Sequence, residues 1–336
     1  MKRSRVSLED IADWETLNIA FGRAALGKRG RGDVEAFRAD LDRNLGHLRQ
    51  SLLDENYAPG PMRSFSIRDP KPRMIHAPAF RDRVVHHALM AHMGPVLDRT
   101  LIADSYACRV GKGSHAAVAR AARLSRRADW FIHADIGQYF ASVDHGVLIG
   151  QLERKFSDHG LMRLVGRILA AHHPNSGLPI GALTSQNFAN FHLGEVDRLI
   201  SEHSCSLGYV RYMDDMVWWA DNAEACRDVL HDLRAKLAEM RLALKLGPEP
   251  RRSRDGMTFC GFRVFPGRVL LAKRARRRFM GQLSAAECAF QAGQIDEAEL
   301  QQRVDPVLAT IAHADAREWR RSLLEDRQLE EFSADG

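Results

Sequence analysis

Several features that mark particular classes of protein are scarce in this chain. Its five cysteines lie far apart and form no Cys-x-x-Cys pair, which argues against a zinc site and against a disulfide framework. No run of apolar residues approaches the ~18 that a membrane-spanning helix needs, and the N-terminal sequence has no apolar signal core. The chain also contains no internal repeat and no low-complexity linker. We therefore expect a cytoplasmic protein without a membrane partner.

The composition favours a folded protein with an anionic partner. At 336 residues, the chain is long enough to bury a sizeable core in one large domain or several small ones. Its 49 Lys and Arg residues exceed its 43 Asp and Glu residues, for a net charge of +6. The basic residues are concentrated at positions 28–31, 120–127, 251–254 and 273–278. Clustered cations indicate an anionic partner, although a run of charge is more often a solvated face.

The first part of the chain predicts helices and one hairpin. Between residues 11 and 53, apolar side chains recur at helical spacing, with a break at 28–33, which predicts two helices. Residues 63–68 lie between two turns that contain Pro or Gly, and their polar and apolar side chains alternate, which predicts a short hairpin. A helical segment is predicted at 81–93.

The remainder alternates strands and helices, which predicts an α+β fold. Strands are expected at 130–135, 209–212, 216–220, 258–265 and 269–272. Helices are expected at 147–155, 161–172, 185–200, 223–241 and throughout 273–332. The last two strands would turn at Pro266-Gly267-Arg268.

Three carboxylates stand at the ends of predicted strands. Asp214 and Asp215 lie between two apolar stretches, at the tip of a predicted β-hairpin, and Asp135 ends another strand. Mg²⁺ is a hard cation that prefers carboxylate and phosphate oxygens, so Asp residues meeting at neighbouring strand ends suit it better than His or Cys residues. An Asp-Asp pair alone is more often a solvated loop, and only the flanking pattern favours a metal site.

That flanking pattern resembles a known family. Tyr212-Met-Asp-Asp215 is similar to the Tyr-x-Asp-Asp box of retroviral, group II intron and retroelement reverse transcriptases. Asp135 with Phe140 resembles the first palm motif of the same family, and the resemblance continues from residue 15 to about residue 319. It implies an RNA-directed DNA polymerase with a right-hand fold, in which an antiparallel palm sheet is packed by helices and the thumb is helical. Residues 1–128 would form N-terminal helices and fingers, 129–265 the palm, and 266–336 the thumb.

The resemblance assigns the chemistry to particular side chains. It implies that Asp135, Asp214 and Asp215 are catalytic, and that these residues with Ile136 bind metal. Two Mg²⁺ ions are implied, with Mn²⁺ as the alternative, one activating the primer 3′-hydroxyl and one steadying the incoming dNTP. Phe140 would be the steric gate whose ring clashes with the 2′-hydroxyl of an NTP; the alternative is an ordinary core residue.

Other segments of the chain resemble further parts of the family. Nucleotide binding is implied for Lys71, Arg73, Arg81, Phe140, Ile180, Gly181 and Gln186. Contact with template RNA or with the cDNA/RNA hybrid is implied for Arg109, Lys112, Tyr212, Met213, Gly261, Lys273, Arg276 and Arg277. Residues 242–247 resemble the last palm strand, and 259–262 the primer-grip hairpin. The general acid for pyrophosphate stays unassigned. Many relatives carry a Lys in a Pro-Lys-Thr-like sequence, whereas this chain has Pro248-Glu-Pro250 followed by Arg251, Arg252 and Arg254.

Ile180 and Gln186 indicate a subfamily. Most reverse transcriptases have Gln and Pro at these positions, and the Ile-Gly-x-x-x-Ser-Gln form resembles diversity-generating retroelements. Replacing a polar side chain near the nascent pair by an alkyl group favours lower fidelity; ordinary drift is the alternative. The resemblance implies adenine-mutagenic copying of a template-repeat RNA, with a small, basic, oligomeric accessory variability protein as partner. A retron, CRISPR-associated or phage-defence enzyme, and an inactive RNA-binding scaffold, are the other hypotheses.

Overall fold

A computed structural model describes residues 3–28, 30–68 and 72–311, together with residues 314, 315, 319 and 321. Within those residues the chain combines α-helices with antiparallel sheets, as the α+β pattern predicts. No helix formed by them is long and apolar enough to cross a membrane.

The first region consists of helices and a hairpin. Its elements are α1 (Leu8–Ile11), α2 (Trp14–Ala25), α3 (Gly32–Ala39), α4 (Leu41–Leu53), β1 (Arg63–Arg68), β2 (Pro72–Ala77), α5 (Phe80–Asp98) and α6 (Ser114–Ser125). The Asp13 side chain accepts a hydrogen bond from the backbone amide of Thr16 and thereby starts α2. Strands β1 and β2 pair antiparallel along their whole length, which confirms the predicted hairpin.

The central region contains the main sheet. Its elements are β3 (Trp130–Asp135), α7 (Tyr139–Ser142), α8 (His145–Glu153), α9 (His159–Ala170), α10 (Leu183–His192), α11 (Gly194–Glu202), β4 (Gly208–Tyr212), β5 (Asp215–Ala220), α12 (Ala223–Glu239) and β6 (Arg251–Arg252). The sheet has the order β4-β5-β3-β6 and is antiparallel. Its faces belong to two buried clusters: Ile132 and Trp218 pack in one, and Phe131 and Trp219 in the other. Helices and the C-terminal sheet therefore cover both faces.

A small sheet and two helices follow. They are β7 (Met257–Phe259), β8 (Phe262–Phe265), β9 (Arg268–Leu271), α13 (Lys273–Gln291) and α14 (Glu297–Ile311). The predicted single strand 258–265 is wrong, because Cys260 and Gly261 have φ values of 47° and 83° and form a turn. The predicted turn at Pro266 is confirmed, since β8 ends at Phe265 and β9 begins at Arg268.

Other predictions of secondary structure also need correction. The two helices predicted between residues 11 and 53 are three, α2, α3 and α4, because the chain also breaks at Asp40. The helical stretch predicted from residue 273 is interrupted at 292–296, between α13 and α14. The helix predicted at 185–200 is two helices, α10 and α11, which break at Leu193. The last strand predicted at 242–247 is an irregular segment in which Leu244 bridges Ile136, and the fourth strand of the central sheet is β6 instead.

Candidate active site

The three acidic residues predicted to be catalytic meet at one end of the central sheet. Asp135 is the last residue of β3 and pairs in register with Asp215, the first residue of β5. Strands β4 and β5 pair up to Tyr212 and Asp215, which leaves Met213 and Asp214 as a two-residue turn. Met213 has a φ of 58°, a left-handed conformation uncommon for a residue with a side chain. Antiparallel pairing thus joins carboxylates that are distant in sequence.

Asp135 and Asp214 share an environment that disfavours two negative charges. Burial and the Asp135 carboxylate raise the pKa of Asp214 to about 6. Asp135 Oδ1 is buried and, with both groups ionised, accepts no hydrogen bond from the described residues. A divalent cation would neutralise this excess charge, and carboxylate oxygens are its preferred ligands, so the residues present fit a metal ion such as Mg²⁺.

Basic side chains contact the outer carboxylate oxygens. Lys245 Nζ contacts Asp135 Oδ2, and His133 Nε2 contacts Asp215 Oδ1. The backbone amide of Lys245 also donates to the Asp135 carbonyl at 2.8 Å, which fixes the lysine beside the carboxylate. Among the residues that the structure describes, no three His, Cys, Asp or Glu side chains are arranged to hold one metal ion. A metal ion bound here would share these carboxylates with Lys245 and His133 or replace these partners. The predicted metal ligand Ile136 is fully buried directly after β3.

A buried ion pair holds the acidic turn, and the sequence pattern does not predict it. Arg211 on β4 forms a bidentate pair with Asp197 on α11, with Nε–Oδ1 and Nη2–Oδ2 distances of 2.5 and 2.6 Å. Arg211 Nη1 donates to the backbone carbonyl of Met213 at 3.0 Å. Burial alone would lower the pKa of Arg211, but the Asp197 carboxylate raises it, so the guanidinium stays charged. The turn carrying Asp214 is therefore attached to a fixed cation.

The surrounding groups complete this network. Asn190 Oδ1 accepts from Arg211 Nη1 at 2.8 Å, and Asn190 Nδ2 donates to the carbonyl of Ala107 at 2.8 Å. The Tyr209 hydroxyl donates to Asp197 Oδ1 at 2.8 Å. Because its members satisfy one another, the network fixes β4 against α10 and α11.

Two predicted nucleotide-binding residues lie where the loop at 177–181 meets β2. The backbone amide of His76 donates to the Ile180 carbonyl at 2.8 Å. Gly181 has a φ of 118°, and a Cβ there would lie 2.8 Å from Ile75 Cγ2 and 3.2 Å from the His76 carbonyl oxygen. Only glycine permits so close an approach. The hairpin and the loop are consequently in direct contact.

Phe140 lies on the other side of the same loop. Its backbone carbonyl accepts from the amide of Leu178 at 2.6 Å, and its half-buried ring packs edge-on against Tyr139 at 5.8 Å between centroids. Phe140, Ile180 and Gly181 are thereby brought to one loop. Gln186, on the exposed face of α10, instead faces the Cys108 thiol, with an Sγ–Oε1 distance of 3.7 Å.

The predicted phosphate-binding cations have different surroundings. Arg73 is exposed on β2. Arg81 Nη2 donates to the Ala58 carbonyl at 2.6 Å, and its guanidinium lies 5.5 Å from the centroid of the Tyr57 ring. Arg81 therefore has partners within the protein, while about half of its side chain stays exposed, and phosphate contact by it stays a prediction. Lys71 lies outside the described residues.

Two of the predicted template-binding residues, Arg109 and Lys112, are also bonded within the protein. Arg109 is mostly buried and donates to Asp98 Oδ1, the Ile102 carbonyl and the Ser105 carbonyl, at 2.6, 2.6 and 3.0 Å. Lys112 Nζ donates to the Ala103 carbonyl at 2.7 Å. These bonds shape the loop before α6, and direct template contact by either residue stays a prediction.

Tyr212, Gly261 and the basic end of α13 are more accessible. Tyr212 is half-buried beside the acidic turn, while Gly261 is exposed in the β7–β8 turn. That turn is close to the acids, since burial and the charge of Asp215 raise the pKa of the Cys260 thiol. Lys273 and Arg277 are exposed, whereas Arg276 stacks over the Trp319 ring at 5.1 Å.

Comparison with known proteins identifies the family. Residues 67–247 match the family described as reverse transcriptase (RNA-dependent DNA polymerase), a segment that includes all three aspartates. The chain belongs to the reverse transcriptase family. It is 26% identical to protein YkfC of Escherichia coli over 289 residues, which cover 71% of this chain and 74% of YkfC. It is 29% identical to the group II intron-encoded protein LtrA of Lactococcus lactis subsp. cremoris over 162 residues, which cover 45% of this chain and 27% of LtrA.

Several predictions are confirmed at this level. The reverse transcriptase is an RNA-directed DNA polymerase with a palm-type fold, and its relatives act on template RNA and nucleotides. Reverse transcriptase domains generally use divalent metal ions, which agrees with a carboxylate cluster at the sheet end.

Proposed function

We propose that this reverse transcriptase copies RNA into cDNA at Asp135, Asp214 and Asp215, and that its metal cofactor is a pair of Mg²⁺ ions. One observation carries the proposal: Asp135 and Asp215 are paired in register at the end of β3 and β5, with Asp214 in the adjoining turn. When bound, the ions supply a lowered pKa for the primer 3′-hydroxyl and neutralise the triphosphate and its leaving group.

The protein residues bind and orient the reactants. Asp135, Asp214 and Asp215 would hold the ions. The fixed guanidinium of Arg211 keeps the turn that carries Asp214 in place. Phe140 would stand under the sugar of the dNTP, and Arg73 would bind its triphosphate, since Arg suits phosphate by its planar, charged fork. The exposed cations Lys273 and Arg277 would contact the backbone of the hybrid duplex.

Primer extension on an RNA template with dNTPs and Mg²⁺ tests this function. Asp214→Ala should abolish synthesis and leave RNA binding largely intact, because the change removes a metal ligand and no template contact. Asp221→Ala, at an exposed carboxylate directly after β5, is the matched control and should leave synthesis unchanged. Full activity of the Asp214 variant would show that the metal site lies elsewhere.

We further propose that the enzyme belongs to a diversity-generating retroelement and copies a template-repeat RNA with errors at adenines. The support is the pair Ile180 and Gln186, with the alkyl side chain of Ile180 on the loop that contacts β2. An alkyl group makes no hydrogen bond that depends on the geometry of the nascent pair, so a mispair costs less. The matching partner would be a small, basic, oligomeric accessory variability protein.

Sequencing the cDNA made by the purified protein on its co-purified RNA tests the subfamily. Substitutions concentrated at template adenines, and a template-repeat RNA as their source, are the expected result. Faithful cDNA copied from another structured RNA would favour a retron, CRISPR-associated or phage-defence enzyme instead.

A further inference from the structure

Lys245 lies directly opposite Asp135, on an irregular segment that runs antiparallel to the chain after β3. Ile136 and Leu244 form an antiparallel bridge. Next to this bridge, the backbone amide of Lys245 donates to the Asp135 carbonyl at 2.8 Å. Residues opposite each other in an antiparallel pair project their side chains from the same face, with Cβ atoms about 4.5–5.5 Å apart. Backbone pairing therefore places the lysine side chain beside the Asp135 carboxylate.

The two carboxylate oxygens of Asp135 have different surroundings. Lys245 Nζ contacts Oδ2. Oδ1 is buried and, with Asp135 and Asp214 both ionised, accepts no hydrogen bond from the described residues. Burial and the Asp135 carboxylate raise the pKa of Asp214, and the charge of Lys245 opposes this rise. The ammonium group therefore compensates part of the negative charge that these two acids share.

The Lys245 side chain has room to leave the carboxylate. It is 55% exposed and borders a cavity of about 270 Å³ that is also lined by His133, Asp215 and Pro248. A lysine ammonium is a point charge on a flexible four-carbon stem, and an exposed pair of lysine and carboxylate is weak. A divalent ion carries twice the charge and is the stronger partner for the same oxygen.

We propose that Lys245 is a counter-cation for the acidic cluster, and that a metal ion displaces it from Asp135 on binding. Lys245 is then a positioning residue. It holds the Asp135 carboxylate in the metal-free protein, and because its charge opposes the incoming ion, it sets the metal concentration that the enzyme requires. The inference rests on the proposed function, since it takes Asp135 to be a metal ligand.

Mn²⁺ binding to the full chain, without nucleic acid or nucleotide, tests the inference by electron paramagnetic resonance. Lys245→Met retains the apolar stem without the charge and should lower the Kd for Mn²⁺ roughly tenfold. Lys245→Arg retains the charge and should leave the Kd within about twofold of the unsubstituted protein. Arg234→Gln, which removes an exposed cation on α12, should also stay within about twofold. An unchanged or higher Kd for Lys245→Met would overturn the inference.

Thermal unfolding of the same variants gives a second readout. In EDTA, Lys245→Met should unfold at a lower temperature than the unsubstituted protein, because the acids have lost their counter-cation. Saturating Mn²⁺ should narrow this gap, since a ligand that binds the variant more tightly stabilises it more. A gap that Mn²⁺ leaves unchanged would also contradict the role of Lys245.

Asp135→Asn separates this inference from the proposed function. Mn²⁺ binding that does not depend on Asp135 would reject the metal site of the proposed function. Binding that depends on Asp135 but is unaffected by Lys245→Met would reject the role of Lys245 alone.

Discussion

Arg211 and Asp197 form a fully buried bidentate ion pair, and the same guanidinium donates to the carbonyl of Met213 in the acidic turn. Removing one partner would leave an uncompensated buried charge. Asp197→Ala should therefore lower the free energy of unfolding by about 3–5 kcal/mol. Asp221→Ala, at an exposed carboxylate, should stay within about 0.5 kcal/mol. Denaturant unfolding measures both values.

Replacing both partners separates stability from function. The Arg211→Met/Asp197→Leu variant buries no charge and should recover most of the stability lost in Asp197→Ala. The Met213 carbonyl would lose its donor, so we expect a higher Mg²⁺ concentration for half-maximal synthesis and weaker Mn²⁺ binding by electron paramagnetic resonance. Unchanged metal binding in a stable double variant would contradict a positioning role for Arg211.

Asp214 should lower stability while it enables catalysis. Its pKa of about 6 lies above the value of a solvated Asp, so the ionised form is disfavoured in the metal-free folded protein. Asp214→Asn should abolish synthesis and raise the unfolding free energy at pH 7 by an amount on the order of 1–2 kcal/mol. The difference should begin to shrink as the pH falls below 6, where folded wild-type Asp214 becomes protonated, and should disappear only near pH 4, where the unfolded chain is protonated as well. Thermal unfolding in EDTA from pH 4 to pH 8 measures it; a gap independent of pH would be inconsistent with this assignment.

Ile180→Gln should reduce misincorporation opposite template adenine. The amide restores a hydrogen-bonding group whose partners depend on pair geometry, so a mismatch would lose on the order of 1 kcal/mol, or several-fold in rate. Ile180→Val is the matched control, since it retains a branched alkyl side chain. Sequencing cDNA from a defined RNA template measures the errors, and an unchanged spectrum would remove Ile180 from the mechanism.

Phe140→Ala should weaken the discrimination against ribonucleotides. Loss of the ring removes the clash with a 2′-hydroxyl, and we expect the ratio of dNTP to NTP incorporation to fall at least about tenfold, equivalent to about 1.4 kcal/mol. Single-nucleotide extension with each substrate measures the ratio. A constant ratio would make Phe140 an ordinary packing residue beside Tyr139.

Sequence alone predicts the parts of this fold that local pattern determines. The bounds of β3 agree with the prediction, since an apolar run ends there at a charged residue. The break between α10 and α11 is invisible to periodicity, because apolar spacing continues across Leu193 while the backbone hydrogen bonds do not. The sequence pattern also misses the β7–β8 turn. Cys260 has a left-handed backbone conformation there, and a non-glycine residue in that conformation carries no strong sequence signal.

The candidate site is also predictable only in part. The flanking motif predicts the three acids, whereas the residues that contact them are brought there by tertiary contacts that local sequence does not show. Asp197 stands on an amphipathic helix, where an acid is ordinarily solvated, and its pairing with Arg211 joins two separate elements. Lys245 contacts Asp135 from an irregular segment that the family resemblance assigns to a strand. The sequence gives one signal for this ion pair, an arginine in an otherwise apolar strand before two acids. That signal does not indicate which residue pairs with the arginine.

The hydrogen bond from the His76 amide to the Ile180 carbonyl has a mechanical consequence. Any inward swing of the hairpin must either carry the neighbouring loop along or break that bond. A side chain at position 181 would not fit against Ile75 and His76, so the two segments are in close contact. We therefore expect the hairpin and the loop to move together when the site closes on a substrate.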